Sequence, residues 1–282
     1  MKKKLTVLVL ALITCFGCKD EKAKSSSANL TAASSITKQI KIPKSTALKM
    51  KGGFTKTKDT LASVGIVVPD YYSMTLNGLE NILWMDGENG EDDLYDEIKL
   101  NFVQYLTTDS LSYPELNRFD KSIYIIFSRV KKGIELPKYF AVFSLNKVIE
   151  IAPEDFRKMK KNYEQNIKPI INNRVNNPTG GNTDFIRIAR NELSDHYGKI
   201  KIYDTKIPDA GKKVKAINIC FAEALNLKIE KDFKTSQALQ LLDKKNYLEN
   251  QLTVVFDVES TDSKILDNLS SYDMNTLSPP NR

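Results

Sequence analysis

Histidine, cysteine and tryptophan are scarce in this chain of 282 residues, which has one histidine, three cysteines and one tryptophan. Zinc sites built from histidine and cysteine need several such ligands, and the chain offers few. A serine or cysteine hydrolase with a histidine base would have to use His196, which follows Asp195. Neighbouring residues of a helix project about 100° apart and do not face each other. We therefore predict a structural role for His196 and name no catalytic residue.

Glycine-rich catalytic and nucleotide-binding motifs are also missing. The chain has no Gly-x-Ser-x-Gly sequence, phosphate-binding loop or dinucleotide fingerprint. Gly180-Gly181 lacks the lysine and the preceding strand that such loops need. Paired carboxylates could still serve a glycosidase, because residues 61–282 contain 32 acidic residues. The sequence selects no particular pair among them.

Arginine is rare, with 7 residues against 35 lysines, and the net charge of +7 is unevenly distributed. Residues 18–60 contain ten lysines and three acidic residues, whereas residues 61–282 contain 29 basic and 32 acidic residues. Nucleic-acid binding requires basic residues clustered on a folded surface, so we expect no nucleic-acid partner. The basic segment is either a solvated, self-repelling linker or a contact with anionic lipid headgroups.

The N-terminal segment has the organisation of an export signal. Lys2–Lys4 are followed by the mostly apolar run Leu5–Phe16 and by Gly17. A helix over this run would be about 18 Å long, too short for a bilayer core of roughly 30 Å. A positive start, a short apolar run and a small residue are typical of a secretory signal peptide, here residues 1–17.

Cys18 directly follows the small residue, and Cys15-Phe16-Gly17-Cys18 resembles the lipobox of bacterial lipoproteins. The resemblance implies that Cys18 is lipidated and becomes the first residue of the mature protein. Its acyl chains would anchor the protein to a membrane, since each buried methylene contributes about 0.8 kcal/mol. A plain secretory peptide with an incidental cysteine is the alternative.

Lys19-Asp20-Glu21 resembles the export signal of surface lipoproteins of the Bacteroidota, in which a lysine precedes acidic residues. This resemblance implies an outer-membrane lipoprotein on the cell surface. A periplasm-facing position is the alternative. The resemblance covers only the N-terminal segment and implies nothing about the fold that follows it.

The remainder of the chain is predicted to contain a tether and a folded body. Residues 18–60 are rich in lysine, serine, threonine and alanine and are predicted to be flexible. Residues 61–282 have the length and the apolar content of one globular body, although a subdomain boundary near residues 174–183 would also suit the sequence. Cys220 lies in an apolar run and is predicted to be a buried, inert thiol.

Helix and strand patterns are mixed along this body. Short runs of β-branched and aromatic residues predict an antiparallel meander over residues 122–151. Amphipathic spacing predicts a helix from Pro153 and a second helix over residues 185–197 that ends at Gly198. Further strands are predicted at 199–205, 213–221 and 251–258, and further helices at 235–249 and 260–269. This mixture predicts the α+β class.

An acidic segment follows the only tryptophan. Residues 86–97 contain seven carboxylates and no basic residue. Calcium takes six to eight oxygen ligands, so this segment is a candidate calcium site. The candidate ligands are Asp86, Glu88, Asp92 and Glu97. Counted from Asp86, these four residues occupy ligand positions of an EF-hand loop. Glu91, however, occupies position 6, where that loop needs glycine. A solvated acidic loop before a helix that begins near Asp92 is the alternative.

Two tripeptides resemble the O-glycosylation sites of the Bacteroidota, in which aspartate precedes serine or threonine and an aliphatic residue follows. They are Asp59-Thr60-Leu61 and Asp109-Ser110-Leu111. The resemblance implies sugar on Thr60 or Ser110. Chance occurrence in a chain rich in serine and threonine is the alternative.

The export signal and the missing catalytic motifs favour a lipid-anchored cell-envelope protein with a binding or accessory role. The expected partners are the membrane, through the acyl chains, and an envelope protein or glycan. Calcium is the only cofactor that the sequence suggests. An envelope hydrolase that acts through paired carboxylates, as glycosidases do, is the second interpretation.

Overall fold

The computed structural model describes residues 44–84, 95–109, 111, 113–144, 147–175, 181–224, 250–270 and 276–278. The α-helices within them are α1 (Lys44–Ala62), α2 (Leu76–Trp84), α3 (Pro153–Asn162), α4 (Lys168–Asn172) and α5 (Arg190–Lys206). The strands are β1 (Tyr71–Met74), β2 (Glu97–Gln104), β3 (Ile123–Lys131), β4 (Ile134–Ser144), β5 (Lys147–Ile151), β6 (Phe185–Ala189), β7 (Val214–Glu223), β8 (Leu252–Ser260) and β9 (Thr276–Ser278). None of the described helices has both the length and the apolar composition needed to cross a bilayer.

The strands form two antiparallel sheets. Six strands follow the order β5-β4-β3-β2-β6-β9, and three follow the order β1-β7-β8. Strands β3, β4 and β5 pair in sequence order and form the predicted meander. Lys132 and Gly133, with φ values of 50° and 80°, connect β3 to β4, and positive φ at both positions is the requirement of a type I′ hairpin turn. The α+β class is confirmed.

Aromatic side chains join the two sheets. Phe102 of β2 lies 6.1 Å from Phe221 of β7, measured between ring centroids. Tyr72 of β1 packs its edge against Tyr124 of β3 at 4.9 Å, and Phe54 of α1 stacks on Phe221 at 5.3 Å. These contacts bring both sheets and α1 into one hydrophobic core.

The helix α1 corrects the tether prediction for residues 44–60. Apolar side chains at helical spacing bury one face of α1 in the core, among them Ala47, Met50, Phe54 and Leu61. The average composition of this segment resembles that of a linker, because lysine and threonine occupy most positions outside the apolar stripe. The composition therefore does not reveal the stripe. Residues 18–43 lie outside the described residues. The described residues from Lys44 onward belong to one compact unit, with no division at 174–183 in its described part.

Several predicted elements were wrong. Residues 97–104 form β2, so no helix continues into them from the acidic segment. Residues 185–189 form a strand, and α5 then runs through Gly198 and includes the predicted strand at 199–205. Residues 261–269 form turns that a bridge between Glu259 and Ile265 holds together. The helix predicted at 235–249 lies outside the described residues.

Helices α3 and α4 are joined by a π-helical turn, Tyr163–Ile167. The backbone N–H of Lys168 donates to the carbonyl of Tyr163, five residues earlier. Pro169 follows at once and has no N–H to continue the α-helical pattern, which explains why the register changes at this point. Lys160 of α3 lies 5.9 Å from the ring centroid of Phe185, and Lys168 of α4 pairs with Asp184, the residue before Phe185.

Candidate functional site

The residues predicted to carry function are only partly described. Cys18, Asp86, Glu88, Asp92 and Ser110 lie outside the described residues. The described residues contain no group of three or more His, Cys, Asp or Glu side chains that could hold a metal ion.

Thr60 and Glu97 are described. Thr60 is exposed on α1, and its hydroxyl donates to the carbonyl of Lys56 at 2.9 Å. Glu97 begins β2, with one carboxylate oxygen 3.5 Å from Arg187 Nη1. Burial raises the pKa of the Glu97 carboxyl, and the Asp96 carboxylate acts in the same direction. Calcium at Glu97 and sugar at Thr60 stay predictions.

The histidine and the free cysteine do not form a nucleophilic site. His196 is buried in α5, whereas Asp195 is exposed, so their side chains lie on different sides of the helix. Cys220 is buried, as predicted. Burial raises the pKa of its thiol, and the Asp257 carboxylate, 3.4 Å from Sγ, raises it further. A thiol in this environment is a poor nucleophile, because little thiolate forms near neutral pH.

The most unusual polar arrangement lies on one face of the six-stranded sheet. Lys99 of β2 is paired with Ser128 of β3 and with Arg187 of β6, and Asn101 is paired with Phe185. Residues paired in an antiparallel sheet lie on the same face, so the register brings these side chains together. We call the following residues the strand-face cluster: Lys99, Asn101, Ser128, Glu135, Lys160, Phe185 and Arg187.

Hydrogen bonds connect the half of the cluster around Glu135. The Lys99 ammonium donates to Glu135 Oε2, and the Ser128 hydroxyl donates to Glu135 Oε1 at 2.5 Å. Asn101 Nδ2 donates to the Ser128 hydroxyl at 2.9 Å and to Glu135 at 3.3 Å. Lys99 is 7% exposed and Asn101 is fully buried, so both are held in an environment where polar groups need partners.

Three cations surround the ring of Phe185. Lys99 Nζ lies 4.0 Å from the ring centroid, Arg187 Cζ lies 5.4 Å away and Lys160 Nζ lies 5.9 Å away. A cation within about 6 Å of an aromatic face is attracted by the ring quadrupole. The ring therefore gathers positive charge from β2, β6 and α3 in one place.

The same region contains buried polar atoms that no described residue satisfies. Lys160 Nζ, Arg187 Nε and Asn101 Oδ1 are buried and have no hydrogen-bond partner among the described residues. Lys160 Nζ lies 4.0 Å from Glu164 Oε1, in an ion pair that is too long for a hydrogen bond. Two unused donors and one unused acceptor of the cluster thus border Phe185, and Asp184 Oδ1, on the preceding residue, is also buried without a hydrogen-bond partner among the described residues.

Burial lowers the pKa of the Lys160 amine. The positive charge of Lys99 acts in the same direction, while Asp184, Glu164 and Glu135 oppose it. Asp184 is itself held by Lys168, whose Nζ lies 2.6 Å from its carboxylate. Among the described residues, Lys160 therefore keeps only the ion pair with Glu164 at 4.0 Å, because Asp184 and Glu135 are paired with Lys168 and Lys99.

A second buried charged network lies at the end of β7. Glu223 is 2% exposed, and both of its oxygens accept from Arg174, at 3.1 and 3.2 Å. The hydroxyl of Thr57 also donates to Glu223, and Gly53 allows α1 to approach, since a Cβ there would lie 3.3 Å from Glu223 Oε2. Asn250 Nδ2 donates to the carbonyl of Arg174 at 3.2 Å. This network links α1, the turn after α4 and β7, and it satisfies the Glu223 carboxylate.

Sequence reasoning missed the strand-face cluster. Its only signal was the alternation of polar and apolar residues in Glu97–Gln104, with Lys99 and Asn101 between Ile98, Leu100 and Phe102. This alternation predicts a strand with one polar face. The acids just before it suggested a helix start instead, and Lys160 gave no signal of its own because lysine is common throughout α3.

Comparison with protein-family models, with curated proteins and with solved structures found no match to this chain. The function therefore has to be inferred from the residues and their geometry.

Proposed function

We propose that this chain is a lipid-anchored cell-envelope protein whose folded body binds a ligand without converting it. The anchor is inferred from the N-terminal sequence, in which Cys18 follows a short apolar run and a small residue. The acidic residues after it favour export to the outer face of the outer membrane. The binding role is inferred from the strand-face cluster.

The observation that supports binding is a set of buried polar atoms around Phe185 that have no hydrogen-bond partner in the part of the chain that the structure describes. Leaving a buried donor or acceptor unsatisfied costs about 1–3 kcal/mol, and more for a charged group. Lys160 and Arg187 have ion pairs at 4.0 and 3.5 Å, but no described residue gives Lys160 Nζ, Arg187 Nε or Asn101 Oδ1 a hydrogen bond. A ligand that supplied their partners would recover this free energy on binding. Clusters of residues that lower the stability of the folded protein are characteristic of functional sites.

A carboxylate-dependent hydrolase is the second candidate, and one observation favours it. A general acid needs a carboxyl group whose pKa is raised, and burial raises the pKa of Glu97. Arg187 lies 3.5 Å from this carboxylate and opposes the shift. Three other carboxylates of the region are paired with lysines: Glu135 with Lys99, Asp184 with Lys168 and, at 4.0 Å, Glu164 with Lys160. This arrangement suits ligand orientation better than proton transfer.

The experiment has two arms. Metabolic labelling with a fatty-acid analogue should label the wild-type protein and place it in the detergent phase, and Cys18→Ser should abolish both results. The full chain, purified in detergent, should bind members of a panel of envelope glycans and peptides and should leave them chemically unchanged. Labelling that persists in Cys18→Ser would overturn the anchor, and hydrolysis that Glu97→Gln abolishes would favour the hydrolase.

A further inference from the structure

The unused groups of the strand-face cluster define the chemistry of a ligand. Lys160 Nζ and Arg187 Nε are donors on cationic side chains, and Asn101 Oδ1 is a neutral acceptor. The donors call for an anionic oxygen, and the acceptor calls for a hydroxyl or amine next to it. A simple anion would satisfy the two donors only.

The surrounding carboxylates limit the charge of that ligand. Glu97 lies 3.5 Å from Arg187, Glu164 lies 4.0 Å from Lys160, and Glu135 is bonded to Lys99. A doubly charged phosphate would be repelled by all three, whereas a carboxylate brings one charge only. The planar guanidinium of Arg187 also matches a planar carboxylate.

Two side chains of the cluster are partly exposed to solvent. The side chains of Lys160 and Arg187 are 23% and 32% exposed, although their unused nitrogens are turned inward. Both are long and flexible, so they can turn toward a ligand without movement of the strands. Phe185, fixed on β6, would form the wall of the opened site.

We infer that the strand-face cluster binds a small hydroxylated carboxylic acid, such as a uronic acid unit. Its carboxylate lies between Lys160 and Arg187, and one of its hydroxyls donates to Asn101. This inference rests on the proposed function, because it names the ligand class of the same cluster. Lys99, Ser128 and Glu135 hold Asn101 in place and do not themselves contact the carboxylate.

Isothermal titration of the full chain in detergent tests this inference. The probes are D-glucuronate, D-glucose as the uncharged analogue and inorganic phosphate as the anion without the sugar hydroxyls. We expect saturable binding of D-glucuronate and binding of glucose and phosphate at least about tenfold weaker, the change expected from one lost charge-assisted hydrogen bond. Lys160→Met should weaken D-glucuronate binding by about the same factor. Lys161→Met, an exposed neighbour on α3, should leave it unchanged.

Melting temperatures of the same variants show whether Lys160→Met acts through folding. The inference requires that Lys160→Met melts no lower than the wild type while it loses binding. Absence of saturable D-glucuronate binding would overturn it, as would unchanged binding in Lys160→Met or phosphate binding as tight as that of D-glucuronate. Failure of Cys18 labelling would overturn the anchor and leave this inference standing, so the two failures are distinguishable.

Discussion

The Glu223 network and the strand-face cluster are both buried and charged, but only the first is complete. Glu223 accepts three hydrogen bonds, from Arg174 and Thr57, and the network joins α1 to β7 and to the turn after α4. The strand-face cluster leaves Lys160 Nζ, Arg187 Nε and Asn101 Oδ1 without partners among the described residues. A network whose hydrogen bonds are complete stabilises the folded protein. A network with unsatisfied groups adds stability only when a bound ligand supplies the missing hydrogen bonds. We therefore expect opposite effects when each is disrupted.

Arg174→Met should give the largest effect. Removal of one partner leaves the Glu223 carboxylate buried without its counter-charge, and the free energy of unfolding should fall by about 3 kcal/mol. Urea denaturation followed by circular dichroism would measure this change. Arg157→Met, which removes an exposed arginine from α3, is the control and should change the value by less than about 0.5 kcal/mol. Equal effects of the two substitutions would show that the Glu223 network does not stabilise the fold.

Lys160→Met should act in the opposite direction. Methionine retains the aliphatic part of the side chain and removes an amine that is buried without a hydrogen bond. The free energy of unfolding should stay the same or rise by about 1 kcal/mol at neutral pH, because the desolvation penalty of the cation disappears. A loss of stability would mean that the Lys160 cation is satisfied in the folded protein, and the distinction between the two networks would fail.

The pH dependence of this difference follows from the sign of the pKa shift. Burial lowers the pKa of Lys160 in the folded state below its ordinary value of 10.5. Between the folded-state pKa and the ordinary pKa, Lys160 is protonated more often in the unfolded chain than in the folded one. The free energy of unfolding of the wild type therefore rises with pH relative to that of Lys160→Met. The advantage of the variant should therefore shrink as the pH increases from 7 toward 10.5. An advantage that grows with pH would contradict a lowered pKa.

The smallest predicted effect concerns two adjacent glycines of α1. A Cβ at Gly52 would meet nothing within 4 Å, whereas a Cβ at Gly53 would lie 3.3 Å from Glu223 Oε2. Gly52→Ala should stabilise the protein by about 0.8 kcal/mol through helix propensity alone. Gly53→Ala should stabilise the protein less than Gly52→Ala does, or should destabilise it, because the side chains of the Glu223 network must move to make room for the methyl group. Equal gains in thermal denaturation would show that α1 does not depend on this close approach.

The sequence predicted elements with a strong local signal. The meander of β3–β5 and the helix from Pro153 combine period-specific apolar spacing with turn or capping residues, and both were confirmed. The prediction failed at Gly198, which lies inside α5 although glycine often ends helices. A Cβ there would meet nothing within 4 Å, so no close contact requires glycine, and tertiary packing around Ile200 outweighs its propensity.

The candidate site could not be predicted because its residues come from distant parts of the chain. Lys99, Glu135, Lys160 and Arg187 meet only through the register of β2, β3, β4 and β6 and the position of α3. Each is an ordinary charged residue in its local context. The absence of hydrogen-bond partners for Lys160 Nζ, Arg187 Nε and Asn101 Oδ1 among the described residues depends on burial and geometry and has no local sequence signal.

The most direct measurement is the order of the melting temperatures of the wild-type protein and Lys160→Met, with and without saturating D-glucuronate. Without the sugar acid, the variant should melt at the same temperature as the wild type or higher. With ligand a hundredfold above its dissociation constant, the wild type should gain about 2.7 kcal/mol and the variant much less, so the order should reverse. A variant that melts below the wild type in both conditions would contradict the assignment of the strand-face cluster to binding.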